Sequence, residues 1–461
     1  MSGSRVPDSE IGKTGLQVSD FGQFVTVSNF LRVLGLIYLA AFFSFGVQAM
    51  GLIGAHGILP LKDYVAALRE AGAVSVAPMV FWLTATDGAI RAVWILGAIA
   101  ALVAVWGRWQ RTALAVCLVL WISICVAGQD FLSFQWDLLL SEAGFLAIFA
   151  SEARIVVWLF RWLIFRLMFF SGVVKLTSGD PTWRDLTALH YHYETQPLPT
   201  PIAWYMHQLP LSFQKVSTAF TFVAELLVPL LFFAPHPVRR IAAGITIALQ
   251  ILILTTGNYA FFNWLAIALC MWLFIEPRGR GRRAVLYPLA AFIGVMTGLL
   301  FLQLFGFPMP PGAGAVMHVV EPLRIVNSYG LFAVMTTERP EIVVEGSDDG
   351  VEWKAYEFRH KVGDVRRAPP WVAPHQPRLD WQMWFAALGS YQQNRWFVDF
   401  VIRLLQGEKA VTKLLAFNPF PNAPPKYIRA RVYLYHFTTW GSRDWWSRED
   451  RGMYLPPVSL K

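Results

Sequence analysis

The chain has 461 residues, of which 56% are hydrophobic and 15% charged, and a formal net charge of +9. Soluble proteins average nearer a quarter charged residues, so this composition excludes an ordinary soluble globule of such length. The basic excess forms no dense block in either half, which leaves nucleic-acid binding without a footprint. The cysteines are too few and too far apart for thiol–disulfide exchange by the chain's own residues.

Residues 1–28 are polar, carry charges of both signs and lack the apolar core of a cleavable signal peptide, so they read as a cytoplasmic N-terminal tail. From there to residue 306 the chain is a succession of apolar runs. A hydrocarbon layer about 30 Å thick needs roughly 20 apolar residues of helix. On that measure residues 29–306 form a transmembrane domain of about nine spans, near 31–53, 88–106, 112–128, 134–151, 155–174, 216–234, 240–256, 258–275 and 284–306. Cys117 and Cys125 fall on one span about 12 Å apart, too far to bridge.

Lys and Arg collect in cytoplasmic loops. With the N-terminus inside, those loops hold Arg108 and Arg111, then Arg154, Arg239 and Arg240, and finally Arg278, Arg280, Arg282 and Arg283. The opposing turns near Gly128–Phe131 and Gly257–Asn258 hold none. An odd number of spans then leaves the C-terminal domain outside the cytoplasm, together with the long loop 176–214. That loop is rich in proline and aromatic residues and reads as ordered; Leu61–Ala71 in the first outer loop reads as a short amphipathic helix.

Residues 307–315 have linker composition, and 316–461 have the polarity of a β-rich extracytoplasmic soluble domain. Within it Glu341–Glu345, Asp348-Asp349-Gly350 and Val351–Phe358 predict strand, turn and strand. Lys426–Phe437 predicts a further strand, and Phe397–Leu415 has helical spacing.

Ionisable residues inside spans are costly and are functional suspects by default. The fourth span carries Asp137 and Glu142, the fifth Arg161, Arg166 and Lys175, and the sixth Glu225. Neighbouring antiparallel spans of opposite charge predict intramembrane ion pairs that fix helix register, with a substrate or proton site as the sharper alternative. His190 and His192, with Glu194 after them, would share one face of a strand, but further ligands at a recognisable spacing are lacking, so no metal site is predicted. Hydrolase and phosphate-binding signatures are absent, and no cofactor is implied. The C-terminal domain is dense in tryptophan; most belong in its core, while Trp371, Trp381, Trp384, Trp445 and Trp446 are candidates for a client-binding surface.

Several long strings carry a specific resemblance. They are Gln129-Asp130-Phe131-Leu132-Ser133-Phe134-Gln135-Trp136-Asp137 with Glu142-Ala143-Gly144, and the run from Ser171 to Pro210 with Lys175-Leu176 and His192-Tyr193-Glu194-Thr195-Gln196-Pro197. A third extends from Glu338-Arg339-Pro340 through Ala368-Pro369-Pro370-Trp371 to Gln376-Pro377-Arg378-Leu379-Asp380-Trp381-Gln382-Met383-Trp384. The last comprises Asn418-Pro419-Phe420-Pro421, Pro424-Pro425 and Ile428-Arg429-Ala430. Together they resemble the lipase maturation factor family across residues 129–437. The resemblance implies a multi-span membrane chaperone, in animals of the endoplasmic reticulum, that assists maturation of secreted dimeric lipases such as lipoprotein lipase and binds its client through the luminal C-terminal domain. It brings no established catalytic residues. The chain shows neither an N-x-[S/T] acceptor nor a terminal retention signal, which favours a bacterial inner membrane.

The expected function is therefore a membrane-anchored folding factor for an exported client protein of the lipase class, in contact with membrane lipids. The membrane half also loosely resembles vitamin K-dependent carboxylases. That likeness supplies a rival, an intramembrane enzyme acting on a lipidic or peptidyl substrate, with Lys175, His190, His192, Glu194, Asp137 and Glu142 lining one outer-leaflet pocket.

Overall fold

The computed structural model describes residues 25–460, so the predicted tail lies outside the described residues except for 25–28. The bundle is built from helices α1 (Val27–Gly46), α2 (Asp87–Trp106), α3 (Gln110–Ala127), α4 (Gln135–Ile148), α5 (Arg154–Thr177), α6 (Leu211–Phe233), α7 (His236–Thr256), α8 (Phe262–Leu273) and α9 (Arg283–Leu304). Seven helices among the described residues are long and apolar enough to cross a membrane; α4 and α8 are shorter. The expected spans 134–151 and 258–275 thus appear as short helices. Ten of the fourteen residues of α4 are buried and none is exposed. A helix enclosed by other helices needs no length to match the hydrocarbon, because protein rather than lipid surrounds its ends. Close packing there depends on Gly144: the Tyr38 hydroxyl, which donates to Leu140 O at 3.0 Å, lies 1.9 Å from where a Cβ would sit.

Three of the basic loops, at Arg154, Arg239 and Arg278, meet at one end of the bundle. Arg154 N donates to Gly279 O at 3.3 Å, Arg278 N donates to Glu152 O at 2.6 Å, and Arg239 pairs with Glu276. At the other end the chain between α5 and α6 is ordered as three short helices, Pro181–Arg184, Ala188–Thr195 and Pro201–His207. The predicted amphipathic helix is present as Leu61–Glu70.

The C-terminal region carries a four-stranded antiparallel sheet in the order β2-β1-β5-β6, formed by β1 (Arg339–Ser347), β2 (Lys354–Ala355), β5 (Tyr427–Phe437) and β6 (Trp446–Val458). A smaller sheet pairs β3 (Glu357–Phe358) with β4 (Leu415–Phe417). The expected strand Val351–Phe358 is broken: its first residues stay exposed, and its two halves serve different sheets. Helix α10 (Arg378–Ala387) packs on β1, and α11 (Arg395–Leu405) follows. The helix expected to reach Leu415 ends early because Gly407, at φ +69°, takes the left-handed conformation that closes helices.

The C-terminal region is seated on the bundle. The stretch expected as a linker, 307–315, runs into a helix at Ala313–Val320, and the chain that follows is bonded to α4 and α5. Phe134 and Trp136 stack at 4.8 Å, and Trp381 of α10 meets Trp136 edge-on at 4.9 Å. One apolar core therefore runs from the bundle through α10 into the sheet. Truncation of Trp381 to Ala opens a cavity at this junction and should cost about 3–5 kcal/mol. The check is the thermal unfolding midpoint of the detergent-solubilised protein, compared with that of Trp371→Ala, whose ring is exposed.

Candidate functional site

The acids of α4 are committed to structure. Asp137 receives a two-pronged bond from Arg378 of α10, at 2.6 Å from Nη1 and 2.8 Å from Nη2, and neither side chain is exposed. Arg378 Nη1 also donates to Phe131 O at 3.0 Å. One turn and a half further on, Glu142 pairs with Arg166 of α5. Its other oxygen accepts from Asn327 N at 3.0 Å and from the Tyr329 hydroxyl at 2.6 Å, while Arg166 Nη1 donates to Asn327 O at 3.0 Å. Arg161 has no carboxylate partner among the described residues; it donates to Trp272 O and Ile275 O at the end of α8.

A second set of bonds ties the outer loop to the sheet. Arg339 on β1 donates to Glu194 O at 2.7 Å and Pro197 O at 2.9 Å, and is balanced by Glu341 at 2.8 Å. The Glu194 carboxylate in turn accepts from Phe437 N at 2.7 Å and lies 3.2 Å from His436 Nδ1. Asn258 holds the tryptophan-bearing segment, donating to Pro370 O and accepting from Val372 N at 2.7 Å.

His190 and His192 lie on the helix Ala188–Thr195, not on a strand, so residues two apart point to different sides. His190 stacks on His207 with centroids 5.6 Å apart, and burial lowers the His207 pKa against the opposing pull of Glu194. His192 lies 3.2 Å from the Tyr259 hydroxyl; burial, aided by the Lys175 charge, pushes its pKa down to about 4, so it is neutral at physiological pH.

Lys175 reaches across to Glu225, with Nζ at 2.7 Å and 3.0 Å from the two carboxylate oxygens. The geometry of α6 makes this pair. Pro229 lacks an N–H and crowds the carbonyl four residues back, and the preceding Val223–Leu227 widens into a π-helical turn containing Glu225. Gly172 lets α5 approach, since a Cβ there would sit 2.7 Å from Leu226. The pair and His192 border a cavity of about 520 Å³ between α5, α6 and α7. Of the six residues expected to line one pocket, only Lys175 and His192 do so; Asp137, Glu142, Glu194 and His190 are engaged elsewhere.

Among the expected client-binding tryptophans, Trp381, Trp384 and Trp446 are buried, which corrects that expectation. Trp381 faces the bundle at Trp136, Trp384 faces the outer loop with Nε1 donating to Thr195 O, and Trp446 stacks on Phe437 at 4.3 Å. A side chain filling a core has no face left for a partner. Trp371 is 57% exposed, and Trp445 is half-buried beside Trp440, which is 65% exposed. Trp440 lies 5.1 Å from Trp204 and 5.6 Å from Tyr205, so the β5–β6 connection and the outer loop build one aromatic patch. Sequence reasoning passed over Arg339, Arg378, Trp204 and Tyr205. Signals for the two arginines existed, in Glu338-Arg339-Pro340 and Gln376-Pro377-Arg378.

Comparison with known proteins covers both halves of the chain. Residues 25–278 match the model of the lipase maturation factor transmembrane domain, and 325–456 that of the lipase maturation factor C-terminal domain. The chain is 37% identical to lipase maturation factor 2 of Gallus gallus, over 94% of this chain and 81% of that protein. It is 34% identical to lipase maturation factor 2 of Homo sapiens, with 94% and 82% covered, and 33% identical to lipase maturation factor 1 of Bos taurus, with 93% and 88% covered. No solved structure matches.

The Asp137–Arg378 bond makes a paired test. Arg378→Met alone strands a buried carboxylate and should destabilise by about 3–5 kcal/mol, whereas adding Asp137→Leu should recover most of the loss. Unfolding midpoints of the two single variants and the double variant check this; equal midpoints for Arg378→Met and the double variant would contradict it.

Proposed function

We propose, from the fact that this chain belongs to the lipase maturation factor family, that it holds an exported, lipase-class client on the outer face of the membrane while that client folds and assembles. It is a multi-pass membrane protein, and family membership extends over both the bundle and the C-terminal region. The observation that carries the client site is the aromatic patch in which Tyr205 and Trp440 are exposed, backed by the half-buried Trp445 and the buried Trp204. Large rigid rings bind apolar surface with little loss of side-chain freedom, which suits a partner whose own core is still exposed. Trp371 supplies further exposed aromatic area on the same region.

Loop charge supports the orientation. Three of the basic loops gather at one end of the bundle, and the C-terminal region sits at the other, where α1 ends and α4 begins. We accordingly place the N-terminus in the cytoplasm and the patch outside it, facing the periplasm in a bacterial inner membrane or the lumen in an endoplasmic reticulum membrane.

The test is co-purification of the full chain with the lipases its host exports, together with the secreted lipase activity. Wild type should retain a lipase. The double variant Trp440→Ser/Trp445→Ser should lose about tenfold in capture and in secreted activity at unchanged protein level, the scale of losing an interface hot spot. Unchanged secretion in the variant would remove the patch from the site, and unchanged secretion on deleting the whole protein would remove the function.

A further inference from the structure

The cavity between α5, α6 and α7 has two properties that the client-holding role does not use. Its walls are mostly apolar, with Leu167, Met168, Phe220 and Ile253 among them, and its exposed lining residues lie on α6, α7 and the outer-loop helix at Ile202. Val216 on α6 and Leu252 on α7 line it and are also 68% and 53% exposed, on helices that cross the membrane. Its mouth therefore meets hydrocarbon rather than water. An apolar void left empty forfeits the dispersion contacts of its lining, and an adjoining acyl chain can restore them. The volume of about 520 Å³ lies within the range of small-molecule sites.

The polar groups on its wall select what accompanies the chain. Lys175 places its ammonium within hydrogen-bond distance of Ser171 O and both oxygens of Glu225, at 3.0, 3.0 and 2.7 Å, so its three N–H groups are spoken for. It offers no spare cation to a fatty-acid carboxylate or a phosphate. Tyr259 donates its hydroxyl proton to Gln196 Oε1 at 2.8 Å, which makes His192 Nε2 the donor to the Tyr259 oxygen and leaves His192 Nδ1 an acceptor. Glu225 thus presents acceptor atoms at the cavity wall and His192, which also lines it, carries an acceptor Nδ1, with the Lys175–Glu225 pair neutral as a unit.

We propose that this cavity is a lateral binding site for a single acyl chain of an uncharged lipid whose head carries hydroxyl donors, the hydroxyls bonding to Glu225 and His192. The site takes a hydroxyl-bearing acyl lipid and rejects the corresponding free fatty acid. It is independent of the client patch and requires no client to be present.

The experiment uses the full-length protein in phosphatidylcholine nanodiscs, with photoreactive analogues of 1-oleoylglycerol and of oleate at equal concentration and peptide mapping of the adducts. The glycerol analogue should label the cavity-lining stretches of α6 and α7 at least fivefold more than the lipid-facing side of α2, at Leu96 and Leu102, and excess 1-oleoylglycerol should compete. The oleate analogue should label the cavity at least fivefold less than the glycerol analogue. Leu252→Trp and, separately, Val216→Trp narrow the mouth from exposed positions and should each reduce cavity labelling about fivefold. Glu225→Gln frees the Lys175 ammonium and should reverse the preference toward oleate. Labelling no denser in the cavity than on α2 would overturn the site, and a wild-type preference for oleate would overturn the uncharged-lipid assignment.

Discussion

A charge buried among helices must meet a counter-charge or a full set of hydrogen-bond partners, since an isolated ion in such surroundings carries a large desolvation cost. In this protein that requirement joins two parts of the chain far apart in sequence. Asp137 lies inside the bundle and its partner Arg378 belongs to α10, 241 residues later. Glu142 is satisfied by Arg166 together with Asn327 and Tyr329 from the segment that follows the last long helix. The acids of α4 are thus complete only when the C-terminal region is seated, so this region is a structural component of the membrane half and not a tethered accessory. Arg339 imposes the same condition in reverse, because a guanidinium on the sheet finds its acceptors in carbonyls of the outer loop.

Seating has a mechanical consequence for the aromatic patch. Trp204 and Tyr205 come from the outer loop, Trp440 and Trp445 from the connection between β5 and β6. The patch is held as one surface by Glu194, which clasps the end of β5, by Arg339, which fixes the loop behind it, and by direct bonds from Trp204 Nε1 and Gln208 Nε2 to Thr438. A surface assembled from two rigid supports loses little entropy when it binds, which favours contact with a partner that is itself poorly ordered.

Much of this was legible in the sequence, and the misses share a cause. Apolar run length located the helices, because hydrocarbon imposes a length that composition must meet. It overstated α4 and α8, since an apolar stretch enclosed by protein looks the same as one crossing lipid. Opposite charges on α4 and α5 pointed to pairing, and Glu142 does meet Arg166. Nothing local indicated that Asp137 belongs to Arg378, or that Arg161 ends on carbonyls rather than a carboxylate. The histidines were misplaced for a similar reason. Alternation over Ala188–Thr195 is compatible with a strand or a helix, and only the surrounding chain decides. Tryptophan content marked the C-terminal region but not which rings are exposed; Trp381 and Trp384 are consumed by the junction with the bundle and its outer loop, a surface invisible from a domain considered alone.

The buried pairs divide by what lies beside them, and that division separates support from recognition. Asp137–Arg378 and Glu142–Arg166 are enclosed by packed side chains and backbone donors, with no space for a third party. Lys175–Glu225 has the same charge balance but borders a cavity, and it stands where α6 leaves regular helical geometry. A helix that served only to pack would gain from a regular turn at this point. The combination of Pro229, a widened turn at Glu225 and Gly172 opposite it brings a carboxylate and its counter-ion to a wall that apolar residues would have sealed more cheaply. The pair therefore acts on the void as well as on the helices, and its neutrality sets the polarity of what can enter.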